Sequence, residues 1–134
     1  MPGIAVAICN AVLNELDGTA TWTPPAALYL ALGTRSGNNF TELAVSGAYA
    51  RTLCTAAFGG AAGGIKANDA AITTPESTAD RGSITAFALY SAATAGAIVA
   101  MGPLDTPQNY NTGVTFEFAI GALEVEMTPG AVSV

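Results

Sequence analysis

The sequence predicts a mainly β protein: an antiparallel β-sandwich or jelly-roll-like domain with an N-terminal helix. Three features of the chain lead to this prediction. Short segments alternate their apolar residues in the manner of strands, turn residues separate these segments, and one segment near the beginning repeats apolar residues at helical spacing. The 134 residues suffice for one domain, 1–134, in which 27–127 form the sandwich.

The helix is predicted over residues 3–16, GIAVAICNAVLNEL. Ile4, Ile8, Val12 and Leu16 recur every four positions and therefore share one face of a helix. Such an apolar face indicates contact with other protein. The sequence leaves open whether this protein is the rest of the same domain or a neighbouring subunit.

The first strands are predicted at 27–33, ALYLALG, and at 50–58, ARTLCTAAF. A weaker strand is expected over 65–73, with an interruption near Asn68 and Asp69. The long connection between the first two strands contains Ser-Gly and Asn-Asn breakers. Connections of this length in a small domain are typical of binding or assembly segments.

A hairpin is predicted at 83–100, SITAFALYSAATAGAIVA. In its first half, the side chains point alternately to the two sides of a strand: Ile84, Ala86, Ala88 and Tyr90 to one side, and Thr85, Phe87 and Leu89 to the other. A run of small residues at 91–96 then turns the chain into a second apolar strand. Neither strand carries a charged side chain on either face. A turn is predicted to follow at 101–107, MGPLDTP.

Two further strands are predicted to complete the sandwich. Their core faces consist of alternating apolar residues, namely Val114, Phe116, Phe118 and Ile120 in one strand and Leu123, Val125 and Met127 in the other. Three carboxylates, Glu117, Glu124 and Glu126, alternate onto the opposite side. We interpret them as a solvated strand face, with a bound cation as the alternative. Catalysis by an acid pair is disfavoured, because a shared face gives the carboxylates no separate environments.

Charge is scarce along the chain. Only 10% of the residues are charged, against about 25% in an average domain. So few charges favour self-association of an isolated monomer, which indicates that other protein covers much of the surface. The net charge of −6 and the four scattered cations oppose a nucleic-acid interface.

The residue inventory also opposes an enzyme. The chain has no histidine, so its serines and cysteines lack the usual activating base and a metal lacks its commonest ligand. We therefore assign no catalytic residue, no cofactor and no metal ligand. Cys9 and Cys54 are expected to be two buried apolar side chains, with a disulfide between them left open. The apolar run IAVAICNAV is too short to span a membrane.

Five aromatic residues are predicted to lie on or beside loops: Trp22, Tyr29, Phe40, Tyr49 and Tyr110. Aromatic rings at such positions either close the ends of a sandwich or anchor contacts with other subunits. Because the low charge count already indicates contacts, these five are the candidate interface residues. Stacking of a sugar on Trp22 or Tyr110 is a further alternative.

The order of the segments resembles that of a family of small virion proteins from tailed bacteriophages. The resemblance is carried by the ALYLAL strand, GAYAR at 47–51, the hairpin ITAFALYSAATAG at 84–96, GVTFEF at 113–118 and LEVEM at 123–127. These segments span most of the chain.

This resemblance implies a structural protein of the phage particle, in first place a capsid cement or decoration protein that binds the major capsid protein or other virion subunits. The alternatives are a tail, baseplate or tail-fibre subunit, and a carbohydrate-binding module on a fibre. The resemblance also implies a homo-oligomer, with a trimer as the suggested form, located in the virion and assembled in the cytoplasm of the bacterial host. Neither nucleic acid nor a membrane is expected as a partner.

Overall fold

The computed structural model describes residues 3–126, so the predicted core position of Met127 lies outside the described residues. Within this range, one helix, α1, runs over Val6–Leu16, and a 3₁₀ turn runs over Thr55–Ala57. No helix in the described part of the chain is long and apolar enough to cross a membrane. The strands are, in chain order, β1 Gly3–Ile4, β2 Tyr29–Ser36, β3 Asn39–Glu42, β4 Thr52–Leu53, β5 Ile65–Ala67, β6 Ile72–Thr73, β7 Ser83–Tyr90, β8 Ile98–Asn109, β9 Glu117–Phe118 and β10 Glu124–Glu126.

Eight of these strands form one large sheet in the order β3-β2-β7-β8-β1-β10-β5, with β4 beside β3 on the outer edge of β2. β6 and β9 pair separately as a small second sheet. The described pairings are antiparallel, except that β1 runs parallel to β10. The chain is therefore mainly β, with a large mixed sheet and an N-terminal helix, in agreement with the predicted sandwich-like class.

The centre of the large sheet explains why the hairpin carries no charge. β2 and β7 pair so that Leu30 lies opposite Leu89. Residues 30–33 and 86–89 are buried without interruption, so both faces of these two strands are covered. A solvated face would require polar residues at alternate positions, whereas strands that are covered on both sides read as continuous apolar runs.

The small sheet covers part of the large sheet through aromatic contacts. The rings of Phe87 in β7 and Phe118 in β9 meet edge to face, with centroids 6.1 Å apart. Tyr110 lies beside Phe116, with a centroid separation of 5.4 Å. The Tyr110 hydroxyl donates to the backbone carbonyl of Pro75, which satisfies the polar end of a fully buried side chain.

The structure moves several of the predicted boundaries. The strand predicted at 27–33 is β2 at Tyr29–Ser36, and the strand predicted around Val114–Ile120 is reduced to Glu117–Phe118. The helix begins at Val6 rather than at residue 3, because the preceding residues pair with β8 as β1. The strand predicted at 50–58 is reduced to the two residues of β4, because the chain bends into the 3₁₀ turn directly after Cys54.

The turn predicted at 101–107 is wrong, because β8 continues to Asn109 through Pro103 and Pro107. Proline lacks a backbone donor and is tolerated where a strand has a free edge. β1 is two residues long and pairs with only the first part of β8. Beyond that part, no described strand on that side of β8 requires the N–H that proline lacks.

Other predictions are confirmed. The hairpin consists of β7 and the first part of β8, and the weak segment divides into β5 and β6 around Asn68. Phe116 and Phe118 are buried as predicted.

Ile120 is 69% exposed, contrary to prediction. Its strand ends at Phe118, and the chain then turns so that the Gly121 N–H donates to the Asn68 carbonyl at 2.8 Å.

Both cysteines are free thiols, so the disulfide that the sequence left open is not formed. Cys54 is buried as predicted. Cys9, also predicted to be buried, is only half-buried, because it lies on α1, which has no buried side chain. Burial raises the pKa of the Cys54 thiol from 9.0 to about 11.

Candidate functional site

A cluster of polar contacts surrounds Arg51. Its guanidinium binds Glu42 through two bonds: Nε lies 2.8 Å from Oε1 and Nη2 lies 2.7 Å from Oε2. Nη1 donates to the backbone carbonyls of Ala92 and Ala95, at 2.8 and 2.6 Å. The guanidinium carbon also lies 3.5 Å from the centroid of the Tyr90 ring. Arg51 therefore uses its charge, its planar fork of donors and its flat face together.

Tyr49 completes this cluster, which we call the Arg51 clamp and define as Glu42, Tyr49, Arg51 and Tyr90. The Tyr49 hydroxyl donates to Glu42 Oε1 at 3.0 Å and accepts the Leu32 N–H at 3.1 Å. Burial raises the pKa of Tyr49, so its hydroxyl stays a protonated donor. The side chains of Arg51 and Glu42 are only 7% and 17% exposed, so each charge depends on the other for compensation.

The clamp joins three separate segments of the chain. Glu42 ends β3, Arg51 precedes β4, and Ala92 and Ala95 belong to the turn between β7 and β8. Ala95 has a positive φ of 52°, which is unfavourable for a residue with a side chain, and the bond from Arg51 holds its carbonyl in place. The connection at 43–51 is thereby fixed against the hairpin turn. The sequence predicted a longer assembly segment at 34–50, but its first half is strand, because it forms the end of β2 and all of β3.

A second polar anchor, Asn68, holds the turn before the last strand. Its side-chain amide nitrogen donates to the carbonyls of Ala70 and Ala119, both at 2.9 Å. Its Oδ1 accepts the Leu123 N–H at 2.9 Å. Asn68 is 1% exposed, and these bonds satisfy both the donor and the acceptor of a buried amide. Asn68 thus fixes the turn that places Ile120 at the surface.

Helix α1 presents an uncovered apolar surface. None of its side chains is buried, and Val6, Leu13 and Leu16 are 69, 59 and 82% exposed. Ile8 and Val12, which lie next to these residues on the side of the helix that faces the domain, are half-buried. Full burial of a valine or leucine side chain contributes about 1.5–3 kcal/mol. Because these three side chains are already partly covered, burying the fractions that remain exposed would contribute roughly 3–6 kcal/mol per chain.

An apolar groove of about 350 Å³ lies between the beginning of α1 and the large sheet. Its walls include Ile8 of α1, Leu89 of β7, Val125 of β10 and Phe58. Lys66 is the one charged residue among those that line it. The groove shows that α1 covers this part of the sheet incompletely.

An acidic cleft of about 550 Å³ lies between the end of β8 and the last two strands. Four carboxylates line it, those of Asp105, Glu117, Glu124 and Glu126. Glu117 and Glu124 are exposed, as predicted for a solvated strand face, whereas Glu126 is half-buried. Within residues 3–126, no group of three or more potential metal ligands is placed to hold an ion, so the cation alternative gains no support there.

The structure divides the five predicted interface aromatics into two groups. Tyr49 and Tyr110 are 2% and 0% exposed, and their rings meet edge to face with centroids 6.3 Å apart. They belong to the core because the connection that carries Tyr49 folds onto β2, so neither offers a surface for an interface or a sugar. Trp22, Tyr29 and Phe40 are partly exposed, and their interface role stays a prediction.

Two of the three partly exposed aromatics lie beside the clamp. The Phe40 ring is 6.4 Å from the Tyr90 ring, and Tyr29 lies opposite Tyr90 in the pairing of β2 with β7. Trp22 lies apart from them, after α1, and its backbone N–H donates to the Glu15 carboxylate. The fold therefore does not gather the predicted residues into one site.

The sequence did not reveal Glu42, Arg51 and Tyr90 as a cluster. The one signal for it was the GAYAR segment, which contains Tyr49 and Arg51. Glu42 is nine positions from Arg51, and Tyr90 is much farther along the chain. No helical or strand spacing links positions that a long connection brings together.

The chain belongs to a family of phage proteins. The model of the family described as Podophage GP4 fiber I protein gp80 matches residues 3–126. No curated protein matches the chain. The family match supports the resemblance to virion proteins of tailed phages. The chain is thus a β-rich structural protein of a bacteriophage particle.

Proposed function

We propose that this chain is a structural subunit of a podophage tail fibre. The observation that carries the proposal is the family match, because the family is described as a fibre protein and the match extends over residues 3–126. This description favours the tail-fibre alternative over the capsid cement that the resemblance placed first. The subunit holds neighbouring subunits in position, a function that requires contact surfaces and no reacting group.

The distribution of apolar surface supports a role in contacts. Single exposed residues such as Val45, Leu53, Ile65 and Ile120 are ordinary for a soluble protein. The three exposed residues of α1 differ, because they lie on the same side of one short helix. Two such surfaces in contact would contribute roughly 6–12 kcal/mol, against an association cost of about 4–15 kcal/mol. A single contact is therefore weak, and repeated contacts along a fibre strengthen it.

The Arg51 clamp supports the same function by keeping the surface in one conformation. Loops that lose freedom on binding weaken the contact that they make. The connection at 43–51, with its exposed Val45, and the turn after Tyr90 are held together by the four hydrogen bonds of Arg51. These two segments are therefore already ordered before they contact a partner.

Labelling of intact particles tests the proposed location. An antiserum raised against the purified chain and detected with colloidal gold is expected to label fibres at the tail in electron micrographs. Preadsorption of the antiserum with the purified chain is the control and should remove the label. Gold confined to the icosahedral head would overturn the fibre proposal in favour of the cement protein.

The carbohydrate-binding alternative retains one stacking residue, Trp22, because Tyr110 is fully buried. It predicts that glycans from the host surface raise the unfolding temperature of the chain, and that Trp22→Ala abolishes this shift. A contact subunit should show the same unfolding temperature with and without the glycans.

A further inference from the structure

The apolar groove between α1 and the large sheet offers an occupant almost no hydrogen-bonding group. Lys66 is the one polar side chain among the eleven residues that line it. The floor of the groove is a face of the sheet, where Leu89, Ala100 and Val125 belong to strands with a paired neighbour on each side. The backbone N–H and C=O groups of such strands bind within the sheet. The groove therefore presents apolar surface and a single amine.

This surface disfavours peptides and sugars as occupants. A peptide or a sugar on the floor of the groove would remove its amides or hydroxyls from water and find no partner for them, which is unfavourable. An acyl chain has no polar group along its length that requires a partner. The groove volume of about 350 Å³ lies within the range of about 300–1,000 Å³ that is typical of small-molecule sites.

The position of Lys66 indicates the charge of the head group. Lys66 lies opposite Val125 in the pairing of β5 with β10, so both side chains project on the groove side of the sheet. Glu124 and Glu126 alternate to the other side and line the acidic cleft. The sheet thus separates Lys66 from these carboxylates, and no residue that lines the groove is acidic. An anionic head group meets a cation and no like charge there.

Lys66 is available to an added anion. Arg35, Arg51 and Arg81, the other three cations of the chain, each donate to an acceptor of the protein. In the part of the chain that the structure describes, the Lys66 ammonium has no such acceptor. Lys66 is exposed while it lines the groove. A lysine of this kind lays its methylenes along apolar surface and keeps its ammonium in water, which places the charge at the rim.

We propose that the groove binds a free fatty acid of medium length, with its acyl chain between α1 and the sheet and its carboxylate beside Lys66. Each methylene that enters the groove should raise the affinity about fourfold. The ion pair at the exposed rim contributes less and sets the orientation of the ligand. The acyl chain completes the contact between Ile8 of α1 and the sheet. The inference is independent of whether the subunit lies in a fibre or on a shell.

A methyl-resolved NMR titration of the full chain with decanoate tests the site. The methyl signals of Leu89, Val99 and Val125, which line the groove, should shift with a dissociation constant of roughly 0.1–3 mM. Those of Ile120, which does not line it, should stay in place and serve as the reference. Octanoate, with two fewer methylenes, should bind roughly fifteenfold more weakly. Groove signals that do not move at about 10 mM decanoate, for instance because another part of the chain fills the groove, would overturn the proposal.

Matched variants test the site and the head group separately. Ala61→Phe introduces a ring at the exposed rim of the groove, and Ala62→Phe is the control because Ala62 is also exposed and does not line the groove. Ala61→Phe should weaken decanoate binding at least tenfold, and the control should leave it unchanged. Lys66→Glu should weaken decanoate and strengthen decyltrimethylammonium, each about fivefold. The proposal is wrong if the two phenylalanine variants bind decanoate equally, or if Lys66→Glu leaves the preference between the two head groups unchanged.

Discussion

The Arg51 clamp allows a quantitative prediction for the stability of the fold. Arg51→Met keeps an apolar stem over the Tyr90 ring and removes the guanidinium with its four hydrogen bonds. Glu42, which is 17% exposed, then keeps one side-chain partner, the Tyr49 hydroxyl. Removing one partner of a buried charge pair costs about 3–5 kcal/mol. Because Glu42 retains some contact with water, we expect a loss of about 3 kcal/mol in the free energy of unfolding.

Urea unfolding, followed by the fluorescence of the single tryptophan, Trp22, measures this loss. The urea concentration at the unfolding midpoint should fall. The slope of the free energy of unfolding against urea should stay constant, because the same surface is exposed on unfolding. The unfolding temperature should fall by roughly 10 °C. Arg35→Met is the matched control: Arg35 donates to the Gly37 carbonyl at an exposed site, and its loss should change stability by less than about 0.5 kcal/mol.

A double-mutant cycle separates the charge pair from general disruption. Glu42→Gln combined with Arg51→Met leaves no unpaired charge, so the double variant should be more stable than the sum of the single losses predicts. We expect a coupling free energy of about 2 kcal/mol, as for residues in one buried network. The reasoning is refuted if the losses of the two single variants add, or if Arg51→Met is no more harmful than Arg35→Met.

Three further predictions concern backbone approach, a buried amide and a buried thiol. Gly33→Ala should lower the free energy of unfolding by about 3 kcal/mol, because the new Cβ would stand 2.0 Å from the Thr41 carbonyl oxygen. Gly60→Ala meets nothing within 4 Å, and its unchanged melting temperature in the same assay is the control. Asn68→Ala should cost about 2–4 kcal/mol in urea unfolding, because it strands backbone groups that the amide satisfies; a loss below about 1 kcal/mol would contradict this role. Because burial raises the Cys54 pKa from 9.0 to about 11, the folded chain holds a proton that the unfolded chain releases, and stability should fall by up to about 2 kcal/mol across that range as the pH rises. Cys54→Ala should remove the part of this slope between about pH 9 and 10, before tyrosines titrate; a slope that persists in the variant would show another cause.

Local patterns predicted the parts of the fold that depend on near neighbours. The hairpin was predictable because alternation and a run of small residues act over a few positions. The long continuation of β8 was not, because prolines signal a turn unless the edge of the strand is known to be free. The position of that edge depends on β1, which the sequence assigned to the helix.

The helix shows the limit of periodicity. The i+4 pattern predicted a single apolar face through Ile8, Val12 and Leu16. In the structure, Ile8 and Val12 are half-buried while Leu16 is 82% exposed. Apolar residues cover more of the helix than one face, and the way β1 ties the chain to the sheet decides which side faces the domain. Periodicity alone does not contain that information.

The candidate site was predictable only in part. The scarcity of charge indicated contact surfaces. The expectation that aromatic residues beside loops anchor contacts selected Tyr49 and Tyr110, which lie in the core. A tyrosine beside a loop can close a sandwich or face a partner, and the sequence does not show which side of the chain is covered. Glu42 and Arg51 were not identified because their meeting depends on how the connection at 43–51 folds back.

A reconstruction of the whole particle at subnanometre resolution tests the central claim most directly, namely that this chain is a fibre subunit whose apolar surface is covered by other protein. We predict that the fold, with its large sheet and the N-terminal helix α1, fits density in the tail fibre, and that protein density lies against Leu13 and Leu16. Density for the chain on the icosahedral shell, or in the fibre with these two residues facing solvent, would contradict the claim.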